Sequence, residues 1–150
     1  ADAVASFDKV AGAQGVAPET RMEAYLSAAT ASVEIGDRQA IDEALAYANK
    51  GVRMDRTHQP GQLLLASILM KTESPVDREK ALEILTAVTR SDVDVTLASR
   101  AYTLMGLAYM ENGEYRRAQR SFRSALDLDP SNTEAGRNER IARNSYEQNL

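Results

Sequence analysis

Two stretches of helical spacing, joined by a tight turn and closed by a proline, constrain this chain more than any other feature. Residues 99–130 read SRAYTLMGLAYMENGEYRRAQRSFRSALDLDP. Tyr102, Met105, Gly106 and Tyr109 share one face of a first helix, and Ala118, Phe122, Ala125 and Leu128 share one face of a second. Asn112-Gly113 breaks the pattern between them, and Asp129-Pro130 ends it. Gly106 and Ala118 are small enough for two antiparallel helices to approach closely. Tyr102, Tyr109, Tyr115 and Phe122 fill the space around that contact.

The pattern recurs. Ala44, Ala81 and Ala118 are spaced by 37 residues, and each is followed four residues on by a small or apolar residue: Ala48, Leu85 and Phe122. Ala29, Ala66 and Gly106 hold the small position of the helix before. That position precedes the second by 15 residues in the two earlier hairpins and by 12 in the last, so the earlier turns are three residues longer. A period in this range signals an array of stacked hairpins.

The stretch 99–130 resembles a tetratricopeptide repeat, whose pattern is W-x2-L-G-x2-Y, then A-x3-F, then P, over about 34 residues. Here Tyr102 stands for the Trp and Met105 for the Leu, while Gly106, Tyr109, Ala118, Phe122 and Pro130 match outright. The two earlier repeats are degenerate. The family Gly is Ala29 and Ala66 in them, and the Trp position is Tyr25 and then Gln62. The resemblance implies an all-α fold, a right-handed superhelical stack of antiparallel helix pairs. The expected layout is a single domain: an N-terminal helix and linker over 1–17, repeats over 18–58, 59–93 and 94–130, and a capping helix over 131–150.

Taken in order, Ala3, Val4, Phe7, Val10 and Ala11 give the first segment a short helical face. It is either the second helix of a truncated earlier repeat or a helix packed on the first one. Gly12 to Gly15 breaks it. Pro18 suits the first turn of the next helix, where its missing N–H is not needed. Gly36-Asp37 ends that helix, and another follows from Gln39 to Met54. Pro60 opens a helix to Lys71, and Ser74-Pro75 reads as a cap and first turn. The last helix is polar, with a thin apolar stripe of Ala135, Ile141, Ala142 and Tyr146, as suits the end of an open stack. The chain starts Ala-Asp-Ala without Met, so either a leader was removed or this is a piece of a longer protein.

Composition narrows the functional classes. The net charge of −4 lacks the basic footprint of a nucleic-acid binder. No apolar run reaches the roughly 20 residues of a membrane span. There is no Cys, hence no disulfide, thiolate metal site or Cys nucleophile. No phosphate loop, HExxH or Ser-His-Asp arrangement occurs. The one histidine, His58, falls in an expected turn and reads as solvated. Glu19 with Glu23, and Glu79 with Glu83, read as solvated helix faces. We therefore expect no enzyme activity, no cofactor and no metal. The compartment, periplasmic or cytoplasmic, stays open.

Binding is the expected role. In the family, the first helix of each hairpin lines a concave surface. The family register places Leu26, Thr30 and Val33 there from repeat one, and Leu63, Leu64, Ser67 and Met70 from repeat two, with Lys71 at the edge. Repeat three adds Thr103, Leu104, Leu107 and Met110, with Arg100 and Glu111 at the edges. Such a groove is apolar and methionine-containing, and suits an amphipathic helix or extended apolar segment of another protein. Some family members grip free carboxylates there with Lys, Asn and Arg; the corresponding positions here are Ser27, Leu64 and Leu104, which disfavours that subclass. The N-terminal segment, through Phe7 and Val10, or a second subunit are alternative occupants, so a homodimer stays open. By analogy with the family, the setting is bacterial secretion, pilus assembly or envelope biogenesis. Alternatives are a secretion chaperone masking an apolar cargo segment, the repeat region of a larger enzyme, and an oligomer-forming element. Arg116, Arg120 and Arg123, with Arg117 beside them, form a stripe on the second helix of repeat three, and Arg137, Arg140 and Arg143 follow. Glu114, Asp127, Glu134 and Glu139 nearby make this a mixed, solvated face.

Overall fold

The structure, a computed structural model, describes residues 2–149, without the Asp2 side chain. Ala1 and Leu150, the ends of the two expected terminal segments, lie outside the described residues. Among those residues there are eight helices and no strand: α1 (Asp2–Gly12), α2 (Pro18–Ile35), α3 (Arg38–Met54), α4 (Gln59–Lys71), α5 (Pro75–Arg90), α6 (Val95–Glu111), α7 (Tyr115–Leu128) and α8 (Thr133–Gln148). The chain divides within α5 into two compact units, residues 1–81 and 82–150.

In the first unit, α2 and α3 form a hairpin whose turn is set by two residues. Gly36 takes a left-handed φ of 79°, which ends α2 without a Cβ penalty. Asp37 then caps α3, its Oδ1 accepting from the Ala40 amide at 2.8 Å. Alanines Ala28, Ala29, Ala44 and Ala48 are fully buried, so the two backbones pack closely. The N-terminal helix α1 packs on α2, and α4 packs on α3 and α2. Tyr25 stacks on Tyr47 with centroids 6.4 Å apart, and Lys50 sits 5.4 Å from both rings. Burial, followed by the nearby Asp8 carboxylate, raises the Tyr47 phenol above its ordinary value. Val10 is 42% exposed and Phe7 is half-buried.

The second unit repeats this plan. The hairpin of α6 and α7 turns at Gly113, with φ 75°, and α8 packs on both of its helices. Phe122 is fully buried at the centre with Ala118, Ala125, Ala135 and Ala142; Tyr102, Leu107, Tyr109, Met110 and Leu126 pack partly against them.

The turns between hairpins carry the repeat down to single atoms. Asp55 ends α3 and accepts from the Thr57 amide and hydroxyl at 2.8 and 2.7 Å; His58 then caps α4, its Nδ1 accepting from the Gly61 amide. Asp129 ends α7 and accepts from the Ser131 amide and hydroxyl at 3.0 and 2.6 Å; Asn132 then caps α8 through the Ala135 amide. The two aspartates are 74 residues apart, twice the alanine interval. His58 is thus a helix cap, and the solvated role expected of it is corrected. Its ring lone pair satisfies an amide that α4 leaves without a partner.

Candidate protein-interaction surfaces

The expected surface residues fall into three groups. Leu26 is drawn into the first unit. A Cβ on Gly51 would lie 2.7 Å from Leu26 Cδ2, and one on Gly61 would lie 3.3 Å from Leu26 Cδ1. The side chain of Leu26 therefore occupies room that two glycines leave open, between α3 and the start of α4. Sequence reading missed both glycines. The available signal was Gly51 itself, since a glycine inside a helical pattern costs about 1 kcal/mol against alanine.

Leu63 and Thr103 are buried, at 3% and 4% exposure. Thr103 belongs to a polar cluster that fastens α8. Asn132 Nδ2 donates to Ser99 Oγ at 2.9 Å and to Thr103 Oγ1 at 3.0 Å. Ser99 Oγ donates to the Ala125 carbonyl, and Thr103 Oγ1 to the Ser99 carbonyl. One asparagine thus caps α8 and ties it to α6, while Ser99 ties α6 to the end of α7.

The remaining positions stay accessible. Val33, Leu64, Ser67 and Met70 are half-buried, and Thr30 and Lys71 are exposed on the first unit. Leu104, Leu107 and Met110 are half-buried and Arg100 is exposed on the second. The large apolar residues that are most exposed, such as Val76, Val95 and Ile35, lie elsewhere and singly. Residues 59–70 and 101–110, which make up most of α4 and α6, contain no charged side chain.

Two clefts open at the helix ends. One, of about 360 Å³ in the first unit, is lined by Arg38, Asp42, Lys71, Glu73, Ser74 and Asp77 among others. Its charges are mixed, and Asp77 is already engaged by Lys80 and by the Thr72 hydroxyl. The Thr72 bond leads the interactions that hold the Asp77 carboxyl below its ordinary value. The other, of about 500 Å³ in the second unit, is lined by Tyr115, Arg116, Arg117, Arg120, Tyr146 and Asn149 with the Gly113-Glu114 turn. Among the described residues no group of His, Asp and Glu could hold a metal ion, and no helix is long and apolar enough to cross a membrane.

This arrangement of hairpins has known counterparts. The tetratricopeptide-repeat family model matches residues 99–132. The crystal structure of MamA aligns over 95% of this chain and 71% of its own, at 20% identity and a TM-score of 0.75. The tetratricopeptide domain of Sgt2 from Aspergillus fumigatus aligns over 91% of this chain and 86% of its own, at 16% identity and a TM-score of 0.74. The first tetratricopeptide domain of Spaghetti (RPAP3), solved bound to the HSP90 peptide SRMEEVD, aligns over 85% of this chain and 94% of its own, at 20% identity and a TM-score of 0.71. No curated protein sequence matches the chain. Residues 99–132 are thus a tetratricopeptide repeat, and the chain has an all-α fold of the type these structures share.

Proposed function

We propose that this protein is a non-enzymatic interaction module that holds a segment of a partner protein on the first helices of its hairpins. One observation carries the reading: α4 and α6 have apolar side chains all round and no charge over residues 59–70 and 101–110. A helix at a protein surface ordinarily turns charged residues to water, and a helix apolar on every side needs cover on every side. Helices α2 and α3 cover one side of α4, and α7 and α8 cover part of α6. On the first unit Leu64 and Met70 of α4 are left half-buried for an occupant, and so, on the second, are Leu104, Leu107 and Met110 of α6. The occupant that fits is an amphipathic helix or an extended apolar segment, and the flexible methionines tolerate variation in its shape.

RPAP3 binds an acidic HSP90 peptide, and that supports the general role. The inner positions Ser27, Leu64 and Leu104 carry no cation, so here the occupant is apolar. The narrower setting, a scaffold or cargo-masking chaperone in bacterial secretion, pilus assembly or envelope biogenesis, rests on family analogy.

The test compares capture from native extract by the wild-type chain and by Leu64→Glu/Leu107→Glu. Both sites are half-buried, so circular dichroism first establishes that the variant stays helical. A protein crosslinked to α4 or α6 in the wild type and absent from the folded variant supports the reading. Equal capture by both rejects it.

A further inference from the structure

Within α7 itself, past the acid at its N-cap, the charges run against the helix dipole. Its first turn holds Arg116 and Arg117 and no acid, its last turn holds Asp127 and no base, and its N-cap residue Glu114 makes no side-chain cap bond. Cations at a helix N-terminus and anions at its C-terminus are both unfavourable. Neighbouring acids relieve only half of the α7 arginines. Glu114 Oε2 accepts from Arg117 at 2.8 Å, and Arg117 also lies 5.6 Å over the Tyr109 ring. Glu139 Oε1 accepts from Arg123 at 3.2 Å. Among the described residues Arg116 and Arg120 have no acidic partner. They are exposed, four residues apart, on one helix face, where like charges repel. The fold gains nothing from that pair. Departures from local rules that stability does not explain concentrate at functional sites.

Both arginines line the second unit's cleft, whose other walls include the half-buried rings of Tyr115 and Tyr146. We propose that this cleft, between the first turns of α7 and the end of α8, binds an acidic peptide segment of a partner protein. Two carboxylates meet Arg116 and Arg120 while an apolar side chain lies against the tyrosine rings. Residues four apart on a helix are separated by about 6 Å along the axis. Two glutamates four apart on a partner helix have the same spacing. A single small anion would gain little from exposed guanidinium groups. A flat anionic membrane would also face Glu114, which lines the same cleft. This surface is separate from the uncharged helices and does not depend on their role.

The probe is a fluorescein-labelled helical peptide with glutamates four residues apart beside a leucine, and the readout is fluorescence anisotropy. Binding should weaken as salt is raised from about 0.05 to 0.3 M. It should fall about tenfold in Arg116→Ala/Arg120→Ala and in a peptide with glutamine for glutamate. It should persist in Leu64→Glu/Leu107→Glu. Equal affinity for the glutamine peptide, or for the alanine variant, overturns the proposal. So does arginine-dependent sedimentation with phosphatidylserine vesicles in place of peptide binding. Concentration-dependent self-association that disappears in the alanine variant would reassign the cleft to a second copy of this chain and likewise overturn it. Since the peptide substitution leaves the protein untouched, the test survives any folding defect in the variants.

Discussion

The ring of Phe122 occupies the space that any side chain on residue 106 would need. A Cβ built on Gly106 collides with Cε1, Cδ1 and Cζ of that ring, and Phe122 is fully buried with no room to retreat. Close approach of α6 and α7 therefore requires one glycine and one phenylalanine together.

Gly106→Ala gains about 1 kcal/mol of helix propensity. Overpacking a filled core costs about 1–3 kcal/mol, and a clash with three ring atoms belongs at the upper end. We expect a net loss of about 2 kcal/mol, measured by urea unfolding as a lower midpoint at unchanged slope. Adding Phe122→Leu should recover part of it, so that the double variant loses less than the two single variants summed. Unchanged stability in Gly106→Ala would remove this contact from the account.

Asn132→Ala should be costlier than an ordinary cap deletion. The cap at the Ala135 amide contributes about 1 kcal/mol, and the buried Ser99 and Thr103 hydroxyls both lose an amide donor. We expect a loss of about 2–3 kcal/mol, seen as a melting temperature lower by roughly 5–10 °C. Hydrogen exchange should localise the loss to α8 and the start of α6. Asn132→Asp keeps the cap but not the donors, and should fall between the two.

Glu139 sets a pH dependence. It is 8% exposed on α8 and accepts from Gln119 Nε2 at 2.9 Å and Arg123 Nε at 3.2 Å, both on α7. Burial alone would raise its carboxyl; the bonds from Gln119 and Arg123, with Arg143 nearby, outweigh it and hold the group below its ordinary value. A carboxyl lowered in the folded state stabilises the protein above its unfolded value, about 4.3. That contribution is lost as pH falls through the folded value. Glu139→Gln should therefore cost about 1 kcal/mol at pH 7, and the gap between wild type and variant should close below about pH 4. A constant gap across that range would show that the carboxylate charge contributes nothing.

Helices and their limits were written locally in this sequence. Pro18, Gly36, Ser74-Pro75 and Gly113 act on their own backbone or on the amides just beyond, so they signal helix ends wherever the chain goes. Small residues at a 37-residue interval similarly required close-packed hairpins, because an alanine or glycine at a helix crossing has one geometric use. Which face of each helix remained open was another matter. Leu26, Leu63 and Thr103 lie three residues before the small positions Ala29, Ala66 and Gly106, and Leu64 and Leu104 lie two before them; the period sorts these two rows, but nothing local says which row is covered. Leu26 was taken inward by Gly51 and Gly61, one on the partner helix and one 35 residues further along the chain. Thr103 was covered because α8 returns over α6 and brings Asn132 to it across 29 residues. The arginines of α7 divide in the same way. Composition showed a mixed stripe, but only the packing of α8 gave Arg123 its glutamate and left Arg116 and Arg120 without one. Sequence determined the elements and their period, since those depend on neighbours along the chain. The tertiary structure decided what each side chain faces, since that depends on neighbours in space.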